Sequence, residues 1–355
     1  MSVQADKTIT DTINKTKFCI GPMSKNVVDA IIEYCNDNRM PFIFIPSRRQ
    51  IEYDGGYVNN WTTEQFTKYV TSRSLLPDNI LIERDHGGCG QGKCDDDGVQ
   101  SLIEDCKFFN IIHIDPWVKC KSIDDGISKT IEYIELCHSL NPSLYYEIGT
   151  EERIRYMSID DIKSMMRRLK ERLSPQLFDR IVYVVIQCGT HLHSNTNIGT
   201  FDEQRLKDML QVCKDYGKLS KEHNGDYIPI DTMKKKFEMG VDCINIAPEY
   251  GQAETKVIVN ILRSLPNKTF YDRFYDICYS SGKWKKWVDE TFDPLNNDNK
   301  NILIEICGHY VLSTQEFADL LNDLYECHGI TSQQISEQVK DQIKCMLQNL
   351  ERAKC

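Results

Sequence analysis

An Asp-His pair, Asp85-His86, is followed by two glycines in ILIERDHGG; His191 and His193 follow in VVIQCGTHLHSN, and His223 in SKEHNGDY. Each stands where a short apolar run gives way to polar, glycine-bearing chain. An imidazole there can bind a divalent metal through one ring nitrogen, and a carboxylate beside it can shuttle a proton. On extended chain His191 and His193 share a face. Three protein ligands plus an open position is the usual layout of a catalytic zinc site, and such a cation polarises a carbonyl and stabilises an enediolate. The ligand candidates are therefore His86, His191, His193 and His223, for Zn2+ or another divalent metal. Asp85 is the proton-transfer candidate, and Glu147 in YYEIGTEE is a second carboxylate aimed at the same place or just below it. Asp115 in IIHIDPW is a further candidate, whereas His113 in the same apolar run reads as a buried core histidine. Asn224 and Gly225 can turn backbone amides toward an anion. The bland alternatives are solvated loop histidines and, for Glu151 and Glu152, an exposed helix start.

Elements of a definite kind must bring these residues together. Short runs rich in β-branched and aromatic residues alternate with segments of helical period, which implies βα units and a parallel sheet. The strands are expected at 17–21, 42–46, 80–83, 111–114, 144–148, 181–187, 218–223 and 243–246. The seventh, KLSKEH, is polar and would not stand alone. Helical period covers 26–36, 63–72, 127–139, 159–172, 201–216, 231–239 and 254–262. Eight such units close an α/β (β/α)8 TIM barrel, expected over 1–265, whose function gathers at the C-terminal ends of the strands. A doubly wound open sheet is the alternative, but no glycine-rich phosphate fingerprint follows the first strand. Residues 266–355, aromatic in SSGKWKKWVDE and ending in a charged helix over 332–353, are expected to form a helical C-terminal extension packed on the barrel.

Composition bounds the partners. The chain has 355 residues and a net charge of -10, so the basic face of a nucleic-acid binder is missing. No apolar run reaches the ~20 residues of a membrane span, and the polar start MSVQADKTITDTINKTK lacks a signal-type apolar stretch; a cytoplasmic protein is expected. Its 15 cysteines then read as reduced, mostly buried thiols. Cys89 and Cys94 in GGCGQGKCDDDG lack a second cysteine pair at metal-clip spacing, so that stretch is expected to be a flexible loop over the mouth.

QIEYDGGYVNNWTTEQF, DHGG, EIGTEE, VIQCGTHLHSN, EHNGDY and KWKKW, in this order over most of the chain, resemble the Z-type subunits of class II tagatose-1,6-bisphosphate aldolase, relatives of the zinc-dependent fructose-bisphosphate aldolases. The resemblance implies that Asp85 donates and accepts protons, that His86, His191 or His193, and His223 hold zinc, and that Glu147 is the nearby carboxylate. It places Asn224, Gly225 and Asn245 where substrate phosphate is held. The eighth strand departs from the pattern: Ala247, Pro248 and Glu249 stand where the family has an aspartate and hydroxyl residues, and a glutamate repels a phosphate. A monophosphorylated sugar is thus an alternative to a bisphosphate, with Arg48, Arg49 and Gln50 after the second strand as substrate contacts. The implied activity is reversible aldol cleavage of a phosphorylated ketose through a metal-stabilised enediolate. The alternatives are a non-catalytic subunit that stabilises a catalytic class II aldolase partner, and a metal-dependent sugar-phosphate epimerase. A homo-oligomer is expected.

Overall fold

In the computed structural model, which describes residues 3–75, 79–193 and 196–354, ten strands form. They are β1 (Phe18–Ile20), β2 (Phe42–Phe44), β3 (Ile80–Gly87), β4 (Ile111–Ile114), β5 (Tyr145–Ile148), β6 (Ile181–Ile186), β7 (Thr190–His193), β8 (Thr196–Gly199), β9 (Leu219–Glu222) and β10 (Cys243–Ile246). Eight of them pair in parallel in the order β1-β10-β9-β6-β5-β4-β3-β2 and close on themselves, with helices around the outside. This is the (β/α)8 barrel expected from the alternation, and all eight runs became its staves. The polar seventh run holds as β9 because Lys221 pairs with Glu83 and Glu147 inside the barrel and Glu222 pairs with Lys236 on the helix Ile230–Met239 outside it.

Helix starts follow the local chemistry. Thr62 with Gln65, Ser122 with Asp125 and Ser158 with Asp161 each form reciprocal capping boxes, which satisfy amide groups that the first turn would otherwise leave free. Three helices were not expected, one of them the short Pro175–Asp179 before β6. Val99–Phe108 fills the connection after β3. Val3–Lys15 forms at the polar N-terminus, where Ile9 and Ile13 lie four apart on one face. Both are buried against Cys19, Ile43, Leu81, Ile111, Tyr145 and Tyr183, inward-facing residues of the strands. The Tyr183 hydroxyl donates to the Ile13 carbonyl at 3.2 Å. This helix therefore closes the N-terminal mouth of the barrel.

After the helix Pro248–Arg263 the chain continues in helices. The last long one, Ser332–Glu351, packs along Lys25–Asn38 and Pro248–Arg263. Its buried stripe is Ile335, Val339, Ile343 and Leu347, one residue every four, and each such side chain contributes about 1.5–3 kcal/mol by leaving water. Lys340 and Lys344 clamp Glu33 beside the stripe. The KWKKW run forms a 3-10 turn, Lys283–Trp287, against Tyr310 and Arg153. No helix among the described residues is long and apolar enough to cross a membrane.

Candidate metal centre

At the C-terminal ends of β3, β4 and β9 four side chains turn toward one another. The donor atoms of Asp85, His86, His113 and His223 all lie within 4.8 Å of one another. Asp85 Oδ1 is 3.6 Å from His223 Nδ1, 3.7 Å from His86 Nε2 and 4.0 Å from His113 Nδ1. His86 Nε2 and His223 Nδ1 are 3.4 Å apart. Tetrahedral ligands held about 2.0–2.2 Å from a zinc ion stand roughly 3.3–3.6 Å from one another, so the Asp85, His86 and His223 spacings already suit a divalent cation, and His113 must move in further to join them.

The far nitrogen of every ring is held. His86 Nδ1 meets Asp115 Oδ2 at 2.6 Å, His223 Nε2 meets Glu147 Oε1 at 2.6 Å, and His113 Nε2 meets the Gly149 carbonyl at 3.1 Å. A ring that donates outward presents a lone pair inward once it is neutral, which for His86 means that a cation must displace the inner proton, and carboxylate or carbonyl partners behind the histidines are what metal sites use to orient their ligands. Asp85 Oδ1 is buried with no hydrogen-bond partner. An unpaired carboxylate oxygen among inward-facing imidazoles is costly without a positive charge, so the donor set fits a cation. His113 is the least committed ligand, because its Nδ1 accepts the His86 amide at 3.2 Å and that bond must yield first.

Protonation within the cluster diverges. Burial lowers the His86 imidazole, but the Asp85 and Asp115 carboxylates outweigh it and bring it up to about 10. His113, buried and beside His223 and His86, is pushed down to about 4 despite Glu147. Asp115 resists the upward push of burial and is held low by the His86 contact.

The backbone is shaped to this end. His86 has φ 49°, left-handed for a non-glycine residue, at a place where the β3–β4 register slips between Arg84 and Gly87. Such conformations persist where the surroundings enforce them, often at functional sites. A Cβ on Gly87 would sit 2.8 Å from the His113 carbonyl, and one on Gly88 2.8 Å from that of Asp115. The glycines after Asp-His thus let β4 come close enough for His113 and Asp115 to reach His86.

A buried ionic layer lies beneath. Lys221 bonds Glu147 at 2.8 Å and also Glu83. These three come from β3, β5 and β9, alternate staves of the barrel, as barrel layering requires. Lysine contact outweighs burial at Glu147 and holds it well below the usual carboxylate range, whereas burial pushes Glu83 well above it.

Several expectations change. His191 and His193 do not join the cluster: after β6 the chain turns at Gly189 into the antiparallel β7–β8 hairpin, which carries both away from the inward-facing staves. His113 takes the place expected of them. Glu147, expected to be catalytic, has one oxygen on His223 and the other on Lys221, so it positions the ring from behind. Arg48 is buried in a fork with Glu52 and Asp96 and is not open to substrate. Gln50 spends its amide on the Ser47 N–H and the Met23 sulfur. Asn224 and Gly225 follow β9, and the Gly225 amide bonds the Asn245 carbonyl. A Cβ at Gly225 would strike Ile244 and Asn245, so this glycine serves packing. Of the expected phosphate contacts, Asn245 keeps a buried, unpartnered Oδ1. The start of the helix after β10 is already filled, because Asp226 accepts from the Ala247 and Glu249 amides. Cys89 is buried while Cys94 is exposed, and neither joins a metal-binding group among the described residues. The loop that holds them is tied down through Asp96 to Arg48.

His113 and Lys221 were legible in principle. Each stands two residues before another polar residue of the site, Asp115 and His223, and i, i+2 residues on a strand face the same way. An inward-facing pair of polar residues in a short barrel strand is the signal.

The sequence matches no known family profile and no curated protein. Solved structures do resemble the fold. A probable tagatose 6 phosphate kinase from Sinorhizobium meliloti 1021 superposes with a TM-score of 0.74 at 15% identity, covering 96% of this chain and all (100%) of that one. The fructuronate-tagaturonate epimerase UxaE from Cohnella laeviribosi gives 0.63 at 10% identity over 95% of this chain and 81% of that one. The fructose-bisphosphate aldolase of Campylobacter jejuni gives 0.55 at 13% identity over 99% and 94%. At these identities the likeness is one of architecture, and the chain has the closed (β/α)8 barrel fold that an aldolase and a sugar-acid epimerase also use.

Proposed function

We propose that the chain is a divalent-metal-dependent lyase that reversibly cleaves a phosphorylated ketose by aldol chemistry. The observation that carries this reading is the convergence of the His86, His113 and His223 inner nitrogens on the unpaired Oδ1 of Asp85. His86, His113 and His223 would hold the cation, with Zn2+ the best match to an imidazole-rich set. Its contribution there would be Lewis-acid polarisation of a substrate carbonyl.

The chain's own residues do the rest. Asp85 is 15% exposed, the opening through which substrate reaches it. Its carboxylate takes the proton from the hydroxyl next to the scissile carbon–carbon bond. The bond breaks, that hydroxyl carbon becomes the aldehyde product, and the electron pair passes toward the polarised carbonyl. The proton then returns to the carbon of the other fragment. Asp115 and Glu147 hold the rings of His86 and His223, so the proton moves at Asp85 rather than at the histidines.

Epimerisation of a ketose acid or phosphate uses the same groups without bond cleavage, and the 0.63 TM-score to an epimerase keeps this as the second reading. Support of a catalytic aldolase partner without turnover is the third. Elemental analysis of the purified protein, followed by incubation with ketose phosphates alone, separates the three. Triose phosphate released in a zinc-dependent manner supports the lyase, a stereoisomeric ketose supports the epimerase, and absence of both metal and turnover would overturn the proposal in favour of the support role.

A further inference from the structure

A second feature of the same rim has the chemistry of an anion site. A cavity of about 690 Å3 is lined by Arg49, Lys93, Lys283, Lys285, Lys286 and Tyr310. The wall has one carboxylate, Asp54, which Lys93 takes at 3.3 Å. In a chain of net charge -10 this is a local reversal of sign.

Aromatic rings gather these cations where carboxylates do not. Lys286 is exposed as a residue, and its ammonium sits 4.5 Å from the Trp287 ring centre and 4.7 Å from that of Tyr310. The Arg153 guanidinium lies 5.2 Å from the Trp287 ring. Arg49 makes its bond to a backbone carbonyl, that of Gly92. No ion pair is formed by Arg49, Arg153 or Lys286 among the described residues. Like charges held together without counter-charges repel unless an anion joins them. Desolvation of its ammonium against the rings is the larger cause, and repulsion from Arg49, Arg153 and Lys283 the smaller, that together lower Lys286 to about 7.

The other anion position on this rim is closed. Helix N-termini hold phosphates through free amides, but at the helix after β10 Asp226 already occupies the Ala247 and Glu249 amides. The cationic pocket borders the histidine cluster by way of the glycine-rich loop: Gln91 donates to the Asp115 carbonyl at 3.4 Å, and the next residue, Gly92, accepts from Arg49. Glu151, whose charge bears on His86, lies two residues from Arg153.

We infer that Arg49, Arg153 and Lys286 form the subsite for the phosphoryl group of the substrate, on the KWKKW side of the mouth rather than at the helix after β10. This deepens the proposed function and rests on it for the word substrate, while the binding of phosphate itself does not depend on the metal.

The test uses the full-length protein loaded with zinc, and binding of inorganic phosphate followed by calorimetry. R49Q and K286Q, which keep the side-chain stems, are each expected to weaken phosphate at least about tenfold, the worth of one charge-assisted hydrogen bond. K163Q, in the cleft shared with Asp160 and Arg167 on another face, is the control and should bind as the unaltered chain does. Zinc content should be the same in all three. With an active substrate in hand, R49Q and K286Q should raise KM more than they lower kcat. H86A separates the two ideas, since it should lose zinc yet keep phosphate. Equal phosphate affinity in R49Q, K286Q and K163Q, or no phosphate binding by the unaltered chain, overturns the subsite while leaving the metal reading intact. Circular dichroism of each variant confirms that it is folded; should one fail to fold, the other decides.

Discussion

The two mouths of the barrel are built from the same inward-facing positions and end in opposite chemistry. At the N-terminal mouth those positions are Cys19, Ile43, Leu81, Ile111 and Tyr183, sealed by Ile9 and Ile13. At the C-terminal mouth they are Asp85, His113, Asp115 and His223, and between the two mouths lies the Glu83–Lys221–Glu147 layer. One end is a dry plug whose worth is packing. The other holds polar groups that are costly to bury, a cost that the proposed cation would offset. The ionic layer between them is the transition, and through Glu147 it keeps the His223 ring aimed from below.

The largest effect expected from breaking this asymmetry comes at the top. His86→Ala and His223→Ala should each abolish zinc binding and reduce turnover at least about a thousandfold, while thermal unfolding shows the fold intact. His113→Ala should cost less metal affinity than either, since His113 must first release the His86 amide; equal losses at all three would mean that this hydrogen bond does not compete. Full zinc occupancy in H86A, read by elemental analysis, would remove the ligand assignment.

Next comes the layer between. Lys221→Met leaves Glu83 and Glu147 facing each other in the core, and loss of one partner of a buried ion pair costs about 3–5 kcal/mol. Denaturant unfolding should show that loss, and Glu83→Gln in the same chain should recover part of it. No recovery would place the damage in shape rather than charge.

The bottom plug should respond to packing alone. Ile13→Ala is expected to cost about 2–5 kcal/mol with unchanged zinc content and KM. A change in metal affinity would show that the two mouths are coupled through the barrel.

The last effect concerns pH. Burial, together with Glu249, pushes Asp226 up to about 8, against an ordinary value near 3.8. A carboxyl raised in the folded state binds its proton more tightly there than in the unfolded chain. Its stability contribution is complete below pH ~3.9 and is lost as pH rises toward 8. Asp226→Asn keeps an acceptor for the Ala247 and Glu249 amides and removes the titration. Its melting temperature should therefore fall less between pH 5 and 8 than that of the unaltered chain; parallel curves would show that Asp226 is ionised throughout.

Much of this molecule could be read before folding. The alternation of apolar runs with helical period reflects local propensity and burial, both properties of short segments, so all eight staves and the Asp-His-Gly-Gly turn were visible. His86, His223 and Asp85 stand at strand ends, and the chain alone marks strand ends. The helix Val3–Lys15 was hidden because two isoleucines among polar residues make a stripe too narrow to notice without the mouth that it covers.

The ring that completes the site was a tertiary decision. Whether His113 or His191 faces the axis depends on which residues point inward, and closure of the barrel sets that, pairing His113 with Glu147 across β4 and β5. His191 has the same spacing to its neighbour as an inward pair would, but a turn at Gly189 takes it into a hairpin outside the staves. Arg48 and Arg49 are adjacent and chemically alike, yet one is buried in a fork with Glu52 and Asp96 while the other lines the cationic pocket. A sequence specifies residue type and period, and these decide which elements form. Charged side chains take their roles from the partners that distant segments bring within a few ångströms, and only the folded chain sets those distances.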